Sequence, residues 1–324
     1  MRPELTIAIP TYNRVDKLKY ALKYVIQYSE KESIEIIVSD NASTDGTEEY
    51  VCSLIERNTM IKYYRNDENL GFDGNFLNCL EKATGKYVWL LSDDDILLPG
   101  AIESVLETLK ECPICIHLNT SSLISDEPLK FTSPRYKEEG IVKYTDKNKF
   151  LHTVGIYCTF VSALVFNVDL VHEINDKEQY FRTNILQSHI YLETMKKEGA
   201  YIINTKNCLA ARGNRTISYD LYRTWINNYS ELLLNTGKKC GFDERILSEI
   251  LEQSLETNIY NFILHFRRTC KNEKDWEKDC IWKWIYKYPK LKIKYWLAVN
   301  VPIFLLPILA FIYRIKIICR RKLL

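Results

Sequence analysis

The chain has 324 residues, 46% of them hydrophobic and 27% charged, which is ample apolar content for one large domain or two small ones. The net charge of +2 hides an asymmetry: residues 281–324 hold ten Lys and Arg and no Asp or Glu, leaving 34 basic against 42 acidic side chains before them. An acidic body counts against a nucleic-acid partner, the basic tail points to an anionic surface, and ten cysteines scattered through apolar patterns point to reduced thiols facing the cytosol.

Met1-Arg2-Pro3-Glu4 leads directly into a strand, Leu5 to Ile9, so no secretory leader is expected. Pro10 stops that strand, Thr11-Tyr12-Asn13-Arg14 follows, and a helix places Leu18, Leu22, Val25 and Ile26 on one face. Ile34 to Val38 is a second strand, ending in Ser39-Asp40-Asn41-Ala42-Ser43-Thr44-Asp45-Gly46. A helix from Thr47, a strand over Ile61 to Tyr64, a glycine-bearing turn from Asn66 to Gly74 and a helix to Ala83 come next.

Tyr87-Val88-Trp89-Leu90-Leu91 reads as a strand buried on both faces, followed by Ser92-Asp93-Asp94-Asp95. Three adjacent carboxylates repel one another by roughly 1 kcal/mol per pair, so a cationic partner is expected, and oxygen ligands at a strand end suit a hard divalent ion. Strand alternating with helix four times over is the pattern of a parallel sheet flanked by helices, whose ligands sit outside the carboxyl ends of the strands. Three polar segments fall at that edge: Thr11 to Arg14, Ser39 to Asp45 and Ser92 to Asp95. No GxGxxG follows the first strand and no Walker A lysine motif occurs, which removes the main support for the common dinucleotide and P-loop readings.

Ile9-Pro10-Thr11-Tyr12-Asn13-Arg14, Ile36 to Thr47, Asn69-Leu70-Gly71 with Gly74-Asn75, and Gly85 to Asp95 together resemble inverting glycosyltransferase family 2, in order and spacing over about the first 100 residues. The resemblance implies an α/β GT-A fold, Rossmann-like, with a mostly parallel sheet flanked by helices, and a nucleotide-diphosphate sugar donor, a UDP-sugar favoured. It implies that Pro10, Thr11 and Tyr12 line the nucleobase pocket with Arg14 near it, that Asp40 bonds the base, and that Asn69 and Asn75 belong to the donor site. Asn75 stands where the family often carries an arginine. Asp93 would contact the ribose, while Asp94 and Asp95 would hold Mn2+ or Mg2+.

A helix from Pro99 leads to a strand over Ile114 to Leu118 in which His117 is a packed side chain, and the polar residues 119–146 read as loop. Lys147 to Val154 reads as helix, Thr159 to Phe166 as a buried strand, Ile185 to Lys197 as an amphipathic helix closed by Gly199, and Tyr201 to Ile203 as a strand. Related enzymes place a carboxylate base about ten residues before such a glycine. Here His189 occupies that place, with Glu193 one turn on to orient or replace it, and an imidazole of pKa about 6.5 can take a proton at cytosolic pH. Arg212 and Arg215, on a loop near the sheet edge, are candidates for substrate phosphate or acceptor.

From Asp220 the pattern is helical. Tyr295 to Tyr313 gives 19 uncharged residues broken by Pro302 and Pro307, about 28 Å if helical, barely a hydrocarbon core. With Lys, Arg, Trp and Tyr on its flanks, this tail is expected to lie in the cytoplasmic leaflet of an anionic membrane; a single span or an oligomer-forming helix is the alternative. The expected division is a catalytic domain over 1–218, a helical extension over 219–280 and a membrane-associating tail over 281–324. The expected activity is metal-dependent inverting transfer of one sugar to a lipid-linked oligosaccharide or surface-polysaccharide precursor at the cytoplasmic face of the cell membrane. A non-catalytic nucleotide-sugar-binding protein or scaffold with a degenerate site is the alternative.

Overall fold

The computed structural model describes residues 2–29, 34–126, 128–213, 217–270 and 273–313. The chain divides into two compact units, residues 1–213 and 214–324.

In the first unit, β1 (Leu5–Thr11), α1 (Val15–Ser29), β2 (Glu35–Asp40), α2 (Thr47–Ile55), β3 (Ile61–Arg65), α3 (Gly71–Lys82) and β4 (Tyr87–Leu90) give the expected alternation. β5 (Ile96–Leu97), α4 (Ala101–Leu109), β6 (Cys115–Ser125), β7 (Lys130–Phe131), β8 (Ile141–Tyr144) and α5 (Lys147–Val154) follow. β9 (Leu164–Asn167), α6 (Val168–His172), α7 (Leu186–Thr194) and β10 (Tyr201–Ala211) complete the unit. The main sheet runs β3-β2-β1-β4-β9-β6-β10-β5. β1 pairs in parallel with β2 and β4, β2 with β3, and β6 with β10, whereas β9 is antiparallel to both β4 and β6.

Parallel strands covered on both sides must be apolar on both faces, and every residue of β1, β2 and β4 is buried. Leu18, Leu22 and Val25 of α1 pack with Ile7, Ile36 and Trp89 in the core. Register then places the functional edge. Thr11 lies opposite Asp40, Asp40 opposite Arg65, and Leu91 N–H donates to Ala8 C=O at 2.9 Å, so the chain leaves β4 beside the end of β1.

The region after residue 114 departs from expectation. β6 continues to Ser125, and residues 119–146 include the rest of that strand together with β7 and β8. Polar residues persist there because the sheet bonds them: Asn119 Nδ2 donates to the carbonyls of Tyr136 and Thr205 at 2.7 and 2.6 Å. The strand expected over 159–166 begins only at Leu164, after two 3-10 turns, Gly155–Thr159 and Val161–Ala163. Gly155 opens the first with φ 59°, a conformation open chiefly to glycine.

The second unit is helical over 221–239 and 244–269, then over Asp279–Ile285, Lys292–Asn300 and 306–313. Asp243 caps the second of these through Arg245 N–H at 2.8 Å, and Ile250, Leu251, Leu255, Ile259 and Ile263 form its buried stripe. Arg267 is buried and donates to the carbonyl oxygens of Ala298 and Val301 at 2.5 and 3.1 Å, closing the helix that ends at Asn300. The uncharged stretch 295–313 is therefore broken at Val301-Pro302. No helix among the described residues is long and apolar enough to cross a membrane.

Candidate active site

The carboxyl edge of β1, β2 and β4 gathers the three polar segments. After Thr11 the chain turns through Asn13 at φ 50°, whose N–H donates to Ser43 Oγ at 2.9 Å and whose Oδ1 accepts from Thr44 N–H at 2.8 Å. The first and second segments are thereby tied together, and Tyr12 is left 42% exposed at the edge, a ring able to stack a base. Asp40 is buried and oriented at both oxygens: Oδ1 accepts from Ser43 N–H at 2.9 Å and Oδ2 from the Tyr63 hydroxyl at 2.5 Å. Burial and the neighbouring carboxylate push the Tyr63 phenol well up, so it stays a donor.

The three aspartates after β4 are all buried but differently engaged. Asp93 accepts from Thr11 Oγ1 at 2.8 Å and from Arg14 at 2.7 Å. Asp94 accepts from Ser92 Oγ at 2.8 Å, and its Oδ2 lies 3.3 Å from Arg14 and 3.5 Å from Lys17. Asp95 accepts from Ser162 Oγ at 2.6 Å and from the Arg212 backbone N–H at 2.8 Å. Burial, opposed by Arg14 and reinforced by Asp94, raises the Asp93 carboxyl to about 6, and burial with the Asp94 charge raises Asp95 to about 7.

Several expected residues also make contacts within the fold. Arg14 clamps Asp93 and Asp94, and with Lys17 it places positive charge beside the acidic run. Asn75 is buried, accepting from Ser39 Oγ at 2.7 Å and donating to the Ser39 carbonyl at 3.0 Å. Asn69 Oδ1 accepts from Asn41 Nδ2 at 2.7 Å and from Gly71 N–H at 2.9 Å, which shapes the turn before α3. Arg212 grips Asp126 with two bonds of 2.9 and 2.6 Å, so its guanidinium braces the β6 end. Arg215 lies outside the described residues. Pro10 and Thr11 are buried at the end of β1.

His189 lies in α7 with its ring stacked on Tyr180, centroids 4.3 Å apart, and burial lowers its pKa to about 3. Such an imidazole is neutral at cytosolic pH, but protonating it costs the desolvation of a cation, which opposes the role of proton acceptor. Glu193 accepts from the Tyr180 hydroxyl at 2.8 Å and pairs with Lys196 at 2.5 Å, so it fixes the ring on which His189 stacks.

Among the described residues no group of three or more His, Cys, Asp or Glu side chains could close around a metal ion. Asp95 has both oxygens engaged inward, and Asp93 is held by Thr11 and Arg14. Asp94, whose Oδ2 has only long ion-pair contacts, fits a single protein ligand to an ion that takes its remaining oxygens from a diphosphate. Lys17, Tyr63, Ser162 and Asp126 escaped the sequence reading. Lys17 alone carried a signal, lying three residues after Arg14 on the same helical face.

Residues 6–170 match the family model described as glycosyl transferase family 2. Among curated proteins, the chain is 41% identical over 220 residues to abequosyltransferase RfbV of Salmonella typhimurium, covering 63% of this chain and 62% of that one. It is 39% identical over 110 residues to GalNAc(5)-diNAcBac-PP-undecaprenol beta-1,3-glucosyltransferase of Campylobacter jejuni, covering 34% of this chain and 35% of that one. The matches thus span less than two thirds of either relative's length. Among solved structures, S. aureus TarS 1-349 in complex with UDP-GlcNAc aligns over 97% of this chain and 88% of that one, with a TM-score of 0.60 and 15% identity. Mannosyltransferase PcManGT from Pyrobaculum calidifontis, in complex with GDP-Man and Mn2+, aligns over 80% and 72% with a TM-score of 0.50 and 16% identity. At these identities the structural likeness is one of fold.

Proposed function

This chain belongs to glycosyl transferase family 2, and on that premise we propose that it is a glycosyl-transfer enzyme moving a sugar from a nucleotide-diphosphate sugar, a UDP-sugar first, to a lipid-linked oligosaccharide or surface-polysaccharide precursor. The observation that carries the reading is the meeting of Tyr12, Asp40 and the Asp93–Asp95 run at one sheet edge. Support for the donor comes from the TarS complex with UDP-GlcNAc, and for the acceptor from the undecaprenol-linked oligosaccharide in the Campylobacter relative's name.

In this proposal Tyr12 stacks the base, and Asp40, held in one orientation by Tyr63 and Ser43, accepts from a base N–H. Asp93 retains lone pairs beyond those used by Thr11 and Arg14 and accepts from the ribose. Asp94 holds Mn2+ or Mg2+, which when bound would neutralise charge on the departing diphosphate. Arg14, paired with Asp93 and Asp94, and Lys17, beside Asp94, offset the charge of these carboxylates. The acceptor hydroxyl attacks the anomeric carbon opposite the leaving nucleoside diphosphate, the glycosidic bond forms as the bond to the diphosphate oxygen breaks, and the hydroxyl proton passes to water.

A thermal-shift panel of UDP-, GDP-, dTDP- and CDP-sugars with and without Mn2+, paired with a transfer assay, tests the reading. A metal-dependent rise in Tm with a UDP-sugar, together with turnover, is expected; no shift with any nucleotide sugar would remove it. A competing reading, a nucleotide-sugar-binding protein without turnover, is favoured by one observation, the buried His189 where related enzymes keep a carboxylate. Binding without transfer or donor hydrolysis would select it.

A further inference from the structure

The second unit carries an exposed apolar surface built from none of the residues gathered at the sheet edge. Between Trp282 and Phe311 the chain turns large apolar side chains outward: Ile293 is 76% exposed, Trp296 55%, Phe304 77% and Phe311 64%. The helix Lys292–Asn300 buries Tyr295, Ala298 and Val299 on its inner side, so Ile293 and Trp296 belong to a second apolar face for which its own core has no use. Trp282, Tyr286, Ile293 and Trp296 line one open groove of about 500 Å3. Ile308, Phe311 and Ile312 recur at helical spacing over 306–313, while Leu306 and Tyr313 are buried. Contiguous exposed apolar surface of this kind marks an interaction site.

We infer that this face is a docking surface for an anionic lipid bilayer, entered from the side by two short helices rather than crossed. The charge around it selects the occupant. Lys287 lies over the Trp284 ring at 4.3 Å and Lys292 over the Tyr286 ring at 4.8 Å, and Lys290 is exposed between them; from residue 281 to the end of the sequence there is no acidic residue. Lysines bordering Trp and Tyr set ammonium groups at headgroup depth while hydrocarbon goes deeper. A second copy of the chain fits poorly, because pairing this patch with itself would set two lysine-bordered surfaces together with no acidic residue from 281 onward to answer them. The break at Val301-Pro302, closed by Arg267, keeps the two helices separate and short. This inference stands apart from the donor site.

The test is co-sedimentation of the full chain with vesicles of phosphatidylcholine alone or with phosphatidylglycerol at one third. Binding to the anionic vesicles and weak binding to the neutral ones is expected. The variant I293S/W296S/F304S, altered only at exposed positions, is expected to lose at least about ten-fold in partitioning. It should keep its circular dichroism, Tm and donor-induced shift. K287E/K290E/K292E is expected to abolish the anionic preference. A wild-type chain that stays in the supernatant with both vesicle types would overturn the inference, as would an apolar variant that binds like wild type. So would a stable dimer, seen by sedimentation velocity and dispersed by the apolar variant, in a chain that ignores vesicles.

Discussion

The sheet edge and the outer face of the second unit break the ordinary rule of burial in opposite directions. At the edge, Asp40, Asp93, Asp94 and Asp95 are all buried, and each is answered by a fixed donor: Tyr63, Thr11, Ser92 and Ser162. On the second unit, Ile293 and Phe304 are exposed with no protein surface over them among the described residues. Buried charge costs free energy unless it is paired, and exposed hydrocarbon costs free energy unless something covers it. The first departure is satisfied from within the unit; the second is left open among the described residues, and it is the surface we propose to meet a bilayer.

The largest effect is expected at Asp94. Asp94→Ala removes the carboxylate proposed to meet the ion, and transfer is expected to fall by about 10³-fold while the fold persists. Near-normal turnover at saturating donor would mean that the buried charge is structural. His189→Ala comes next. The stack on Tyr180 predicts a loss of about 2 kcal/mol in stability, read by urea unfolding, with kcat falling by less than about five-fold. A fall of about 10² or more in kcat with unchanged stability would restore the proton-accepting role read from the sequence.

Asp95 gives a smaller, pH-dependent effect. Its folded pKa of about 7 lies above the unfolded value, so its contribution to stability is complete below the unfolded pKa and is lost as pH rises through about 7. Asp95→Asn does not titrate and keeps groups able to meet Ser162 and the Arg212 N–H. In the metal-free protein it should therefore gain on wild type by about 1 kcal/mol per pH unit between pH 4 and 7, measured by chemical denaturation. A gap that stays constant across that range would show that the carboxyl is not shifted. The mildest change is Tyr63→Phe, which removes one hydrogen bond to Asp40 and should weaken nucleotide binding about five-fold by calorimetry without touching kcat.

The first hundred residues were legible because buried parallel strands advertise themselves. Ile36-Ile37-Val38 and Val88-Trp89-Leu90-Leu91 carry no charge, and the polar segments that follow them had to fall at one edge. Beyond residue 114 the signal failed for a physical reason: Asn119 to Ser125 form a strand whose polar side chains are held by neighbours distant in sequence, so composition imitates a loop. At the site, residue type and place were readable while partnership was not. Arg14 was expected beside a nucleobase, yet its long side chain reaches Asp93, and Asn75 turns inward to Ser39. Tyr63 left no trace in the sequence because its role follows from the register of β3 against β2.

The guanidinium of Arg267 gives the second unit a mechanical property. A helix end fastened from inside the folded body does not have to be remade each time that body meets or leaves a surface. If the proposed docking holds, attachment of this kind would be reversible, responding to lipid charge and ionic strength within the lifetime of a single folded molecule.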